Sequence, residues 1–154
     1  ENIMNVEKKI AELGIELPVP PQPVATYTSC KQTGNLVFVS GQGPIIEGKQ
    51  MYTGKVGAQL NADDGYQAAR YCGINLLAQL KKYLGDLDRV KQVVHLKGFV
   101  ASDSNFTEQP AVVNGASDLM VQVFGEAGRH TRCALAVNVL PTDIPVEVEL
   151  IVEI

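Results

Sequence analysis

The last stretch of the chain, Val146–Ile154, reads VEVELIVEI, and its strict alternation leaves little choice of structure. A period of two places Val146, Val148, Leu150, Val152 and Ile154 on one face of an extended strand, with Glu147, Glu149 and Glu153 on the other. The preceding Arg132–Val139, RCALAVNV, alternates as well. Arg132 shares a face with Ala134, Ala136 and Asn138, while Cys133, Leu135, Val137 and Val139 point the other way. A proline-bearing turn, Pro141–Pro145, joins the two strands. An arginine at the mouth of a strand, followed by small residues, leaves room for a ligand beside it. The guanidinium fork suits bidentate capture of a small carboxylate. The competing role for Arg132 is a surface ion pair with Glu126, and for Glu147 a place on a solvated outer face. A tight hairpin would set Glu147 some six residues along from Arg132's partner, roughly 20 Å away. The two then share a site only if the strands are not simple neighbours, or if different subunits supply them.

The rest of the chain supplies what these strands pack against. Val6, Ile10 and Leu13 recur at helical spacing before Gly14, predicting a short helix that needs a docking surface to persist. Leu17–Pro23 carries prolines that enforce an extended arm. Ala25–Cys30 and Leu36–Ser40 read as strands around the polar loop Lys31–Asn35, and LVFVS, apolar on both sides, predicts a central strand covered on each face. Gly41-Gln42-Gly43-Pro44 is a turn that other atoms can approach closely. Ala62–Leu84 is a helix: Tyr66, Ala69, Gly73, Leu76, Leu77, Leu80 and Leu84 form one stripe, Asn61 or Asp63 caps the start, and Gly85 ends it. Val90–Ala101 reads as a long strand. Gln109-Pro110 opens a second helix to Phe124, with Val113, Ala116, Met120 and Val123 inward.

The order ββ-α-β-α-ββ predicts an α+β fold, a mixed and mostly antiparallel sheet with two helices on one face. Residues 1–23 form an accessory helix and proline-rich arm, and residues 24–154 one domain. Two helices leave the other face of such a sheet bare, and its apolar residues favour burial against identical subunits in closed symmetry.

Composition narrows the partners. A net charge of −4 without a dense Lys/Arg run argues against nucleic acid. No apolar run is long enough to span a membrane, and ENIMNVEKKIAELG lacks a signal-peptide pattern, so a reducing, cytoplasmic setting is expected. Cys30, Cys72 and Cys133 lack metal-site spacing, and His95 and His130 lack partners for one. Cys133, opposite Arg132, is expected to be a buried thiol, and Ser40 at most a hydrogen-bonding hydroxyl. No phosphate loop, dinucleotide fingerprint or metal cluster appears.

Three stretches, LVFVSGQGP, FTEQPAVVNGASDLMVQVFGE and HTRCALAVNVLPTDIPVEVELIVEI, together resemble the RidA/YjgF family of reactive intermediate deaminases, named L-PSP endoribonucleases in older usage. The resemblance runs from about Tyr27 to the C-terminus, and the segment before it looks like that of a longer subgroup. It implies a chorismate-mutase-like fold and a homotrimer with sites in inter-subunit clefts. It implies hydrolysis of 2-imino or 2-enamino acids, such as 2-aminoacrylate, to 2-keto acids and ammonia, without a cofactor. By similarity Arg132 holds the substrate carboxylate, the backbone of Cys133 faces the imine nitrogen or the water, and Glu147 orients the water and shuttles a proton. Tyr27, Ser40, Gly41 and Asn114 match positions lining the family's pocket. The alternatives are a non-catalytic trimer that binds small carboxylates or a protein partner, and a ribonuclease.

Overall fold

The structure, a computed structural model, describes residues 5–154. Three α-helices, α1 (Val6–Glu12), α2 (Ala62–Leu84) and α3 (Gln109–Phe124), accompany seven strands. These are β1 (Cys30–Thr33), β2 (Leu36–Gln42), the small hairpin β3 (Ile45–Ile46) and β4 (Lys49–Gln50), β5 (Gln92–Ala101), β6 (Thr131–Val137) and β7 (Val146–Glu153). The main sheet has the order β1-β2-β7-β5-β6 and is antiparallel throughout except for the β5–β6 pair, which is parallel. It is the mixed α+β architecture expected, with the helices on one face.

β7 is the middle of that sheet. Its alternation is realised residue by residue, with Val146, Val148, Leu150 and Val152 all at most 1% exposed against the helices. Burial of side chains this size is worth roughly 1.5–3 kcal/mol each. The glutamates and Ile151 face the other side, which no element among the described residues covers. Phe38 and Leu135 open onto that bare face at 44% and 47% exposure. The expectation that LVFVS is covered on both sides is therefore corrected within one chain: Val37 and Val39 are buried, but Phe38 is not. Cys133 is also corrected. It is exposed rather than buried, because it too projects to the bare face, next to Lys97 on β5.

Other boundaries shift for local reasons. β1 begins at Cys30, not Ala25: the turn at Gly34, with φ 56°, pairs Thr33 with Leu36, regular pairing ends at Cys30 opposite Val39, and beyond it β2 bulges, the Ser40 amide still donating to the Ser29 carbonyl at 2.9 Å. β5 begins at Gln92, because Leu87–Arg89 form a 3-10 turn that buries Leu87. α2 matches its expected bounds, and Asn61 caps it in a reciprocal capping box with Asp64. Of its expected inward stripe only Tyr66 stays partly exposed, donating its hydroxyl to Asp118 of α3 at 2.7 Å. The short α1 finds the docking surface it needs: Val6 and Ile10 join the main core, and the Val6 amide donates to Asp88 at 2.7 Å.

α2 and α3 cross closely because glycines line the contact. A Cβ on Gly73 would sit 2.9 Å from Leu119, and one on Gly115 would collide with the carbonyl oxygen of Tyr66. The latter neighbour is backbone and has no rotamer to yield. Gly115→Ala is accordingly expected to destabilise the fold by about 3 kcal/mol or more, the upper end of overpacking costs. Chemical denaturation checks it, an unchanged midpoint being the contrary result.

Candidate functional site

The two residues singled out by the alternation do not pair across a hairpin. β5 lies between β6 and β7, so Arg132 aligns with Leu96, and Leu96 with Leu150, three residues from Glu147. At ~4.8 Å per strand and ~3.3 Å per residue their backbones are about 14 Å apart. Their side chains leave opposite faces of the sheet. Within one chain they form two half-sites.

The first half-site lies at the free edge of the sheet, where β6 is the last strand. Arg132 reaches toward α3, and its Nη1 donates to Asn114 Oδ1 at 2.6 Å and to Ser117 Oγ at 3.2 Å. Asn114 and Ser117 stand three residues apart on one helix face, so both can meet a single nitrogen. Glu126 is not its partner; that carboxylate pairs with Arg129 at 3.0 Å. Among the described residues no carboxylate forms a salt bridge with Arg132, and no hydrogen bond uses its Nε or Nη2. The cation is thus held by neutral acceptors, and part of its fork is free. Ser117 was not singled out by sequence, although the N-x-x-S spacing on a helix facing a strand arginine carries that signal.

Behind this arginine sits His130. Its Nδ1 is 2.6 Å from the Gly128 carbonyl and its Nε2 2.9 Å from Ser117 Oγ. Burial pushes the His130 pKa below its usual 6.5; the Gly128 carbonyl opposes this, and the positive charge of Arg132 adds to it. His95 lies apart, its Nδ1 2.8 Å from Thr131 Oγ1.

The second half-site surrounds Glu147. In β2 the register slips by one residue between Val39 and Gln42, so Ser40 and Gly41 form a bulge against β7. Such bulges re-aim side chains. Gly41 leaves space for the carboxylate, since a Cβ there would lie 2.8 Å from Glu147 Oε2. Ser40 donates its hydroxyl to the Thr28 carbonyl at 2.7 Å, tying the segment that carries Tyr27 to the bulge. Tyr27 itself is 53% exposed and lines a cavity of about 400 Å³ with Pro23, Gln79, Lys82 and Tyr83, on the side of the proline arm. Partial burial pushes the Glu147 pKa above the ordinary carboxylate value of 4.5, and the negative charge of Glu149 adds to the shift. A carboxyl raised in this way is suited to accept and return a proton.

The structure therefore joins Arg132 with Asn114 and Glu147 with Gly41; Ser40 neighbours Gly41 in the bulge but bonds the Thr28 carbonyl, Tyr27 lies in a separate cavity, and Cys133 sits on the edge strand with its thiol on the bare face. Among the described residues no group of three or more His, Cys, Asp or Glu side chains could hold a metal, and no helix is long and apolar enough to cross a membrane.

Residues 7–154 match the family described as YjgF/chorismate mutase-like, putative endoribonuclease, and the chain belongs to that family. It is 46% identical to Protein TCP17 of Trypanosoma cruzi over 97% of this chain and 94% of that protein. It is 30% identical to a 2-iminobutanoate/2-iminopropanoate deaminase of Dermatophagoides farinae, over 91% of this chain and 94% of that protein. Among solved structures, a putative endoribonuclease from Shewanella oneidensis superposes with a TM-score of 0.95 at 35% identity, over 97% of this chain and 99% of that one. The family thus includes proteins named as imine deaminases and others named as endoribonucleases.

The histidine yields a check on this geometry. Its depressed pKa means the unfolded chain binds the proton more readily, so His130 contributes stability that is fully present above pH 6.5 and is lost as pH falls through its native-state pKa. The histidine ring resonances in NMR should show His130 titrating below 6.5, and His130→Phe should flatten the fall of stability in that window. A His130 midpoint at or above 6.5 would contradict the assigned contacts.

Proposed function

We propose that this protein is a cofactor-independent hydrolase that deaminates small 2-imino acids to 2-keto acids and ammonia, working as a homotrimer. The observation that carries this reading is Arg132, a cation held by neutral acceptors with part of its fork free. Resemblance to a protein named as a 2-iminobutanoate/2-iminopropanoate deaminase supports the choice of substrate class.

The chemistry asks for little machinery. An imine carbon is already electrophilic, so positioning and one proton handler supply most of what is needed. In this reading Arg132 binds the carboxylate, with Asn114 fixing its guanidinium, and the Cys133 backbone faces the imine nitrogen. Glu147 takes a proton from water as the water oxygen bonds to the imine carbon and passes it to the imine nitrogen, giving a neutral tetrahedral carbinolamine. The carbinolamine's hydroxyl proton then moves through Glu147 to the nitrogen, the C–N bond breaks, and ammonia leaves as the carbonyl forms. Gly41 gives the Glu147 carboxylate its space, Ser40 ties the bulge to the Thr28 segment, and Tyr27 enters this reading through the family resemblance alone.

In one chain the two halves are too far apart for this sequence of steps. The bare sheet face, with Phe38 and Leu135 half exposed, is the surface that packing between copies would bury, and the free β6 edge brings the arginine half to a neighbour. We assign the site to a cleft between subunits: the arginine half of one and the glutamate half of the next. Sedimentation should give the mass of three chains, and a mass equal to one chain removes the shared site.

The activity test uses 2-iminobutanoate or 2-aminoacrylate generated enzymatically in the assay. The wild type should accelerate ammonia release, and Arg132→Ala should lose at least about 100-fold in kcat/KM, matching roughly 3 kcal/mol for two charge-assisted hydrogen bonds. Glu147→Gln should lower kcat by about 100-fold or more with a smaller change in KM. Because Glu147 acts as a base from a raised pKa, activity should fall on the acid side with a midpoint above 4.5. No acceleration across several imino acids would overturn the deaminase; saturable, Arg132-dependent carboxylate binding without turnover would mark a binding protein instead.

A further inference from the structure

We propose that Ser117 is a positioning residue for the carboxylate anchor, its hydroxyl aimed by His130 so that a lone pair faces Arg132. The inference rests on the reading of Arg132 as that anchor.

The hydrogen bonds have only one consistent direction. The Gly128 carbonyl can only accept, so His130 Nδ1, 2.6 Å away, carries the proton. In the neutral ring Nε2 is then an acceptor, and the Ser117 hydroxyl 2.9 Å from it is the donor. With its hydrogen committed to His130, Ser117 Oγ presents lone pairs elsewhere, and Arg132 Nη1 lies 3.2 Å away to donate into one. The chain runs from Arg132 through Ser117 and His130 to the backbone of Gly128. A positively charged ring would offer N–H at both nitrogens and force the serine hydrogen to turn away. The charged or titratable neighbours acting on His130 are Arg132 on β6 and His95 on β5, while α3 presents the neutral Ser117, and burial outweighs the carbonyl's pull toward the charged form.

This arrangement does something that Asn114 alone cannot. One acceptor on Nη1 leaves the guanidinium free to swing about that bond; two acceptors from successive turns of α3 fix its plane. Held this way, Nε and Nη2 keep one orientation, and bidentate recognition of a carboxylate depends on that orientation more than on charge. Neutral acceptors do this without consuming the charge, as a carboxylate partner would.

The test measures binding of 2-oxobutanoate, the product-like keto acid, alongside imine turnover. Ser117→Ala is expected to raise both the Kd for 2-oxobutanoate and the KM for the imino acid about 10-fold, with kcat within about twofold, since uniform binding rather than transition-state contact is lost. Ser117→Thr restores the hydroxyl and should restore affinity. His130→Phe keeps the ring shape without the acceptor and should weaken binding in the same direction. The double variant should be no weaker than Ser117→Ala alone, because the histidine acts only through the serine. Unchanged affinity in Ser117→Ala, or losses from the two substitutions that simply add, overturns the proposal. If the wild type binds 2-oxobutanoate through Arg132 yet turns over no imine, the deaminase reading fails and the positioning role stands. If the wild type shows no Arg132-dependent binding, both fail.

Discussion

Everything in this molecule is arranged about β7, a strand whose two faces cannot be exchanged. Val146, Val148, Leu150 and Val152 are buried under the helices, and a slip of one residue would put Glu147, Glu149 and Glu153 into that core. Three carboxylates without partners in an apolar layer cost far more than the marginal stability of a domain this size. The register of β7 is therefore fixed, and with it the positions of β2 and β5 on either side. The close approach of α2 and α3, made possible by Gly73 and Gly115, completes the layer that the valines need.

The same constraint sets the two candidate half-sites apart. A strand with glutamates on its non-core face hands those glutamates to whatever lies beyond the sheet, and no described element lies there. Because β5 intervenes, β6 sits at the edge as a parallel neighbour, and its arginine leans toward α3 instead of toward Glu147. A cation and a base placed on opposite faces within one chain do not neutralise one another as an ion pair. That separation leaves the arginine's charge available to an anion and leaves the glutamate in a half-buried setting that raises its pKa.

Legibility in the sequence followed the strength of periodic signals. α2, with its caps and long apolar stripe, and β7, with its alternation, were readable to within a residue, because each satisfies propensity, pattern and termini at once. The start of β1 was not, because Ala25–Ser29 is strand-like in composition, and the bulge of β2 at Ser40 and Gly41, where the regular pairing stops, leaves no periodic signal. Cys133 is exposed where a buried thiol is expected for a related reason: alternation tells which residues share a face but not which face has a helix over it. Arg132 and Glu147 were visible in the alternation of their strands, and Asn114 through the family resemblance. Ser117 and His130 were hidden because their relation to Arg132 spans a helix, a loop and a strand and becomes visible only when the packing of α3 on β6 is known.

The charge on Arg132 explains why such a device belongs at this position. A strand-end arginine facing a helix has two ways to be satisfied: a carboxylate, which closes the charge, or neutral oxygens, which leave it open. Glu126 lies near in sequence and could have been the first kind, but it is taken by Arg129. What remains is the second kind, Asn114 Oδ1 and Ser117 Oγ, and the serine can serve only while its own hydrogen has somewhere else to go. A half-buried histidine held neutral supplies that place. Fixing a cation's geometry without neutralising it has no value to the fold that a salt bridge would not provide more simply. In the reading proposed for Arg132, its value is to an anion that arrives from outside.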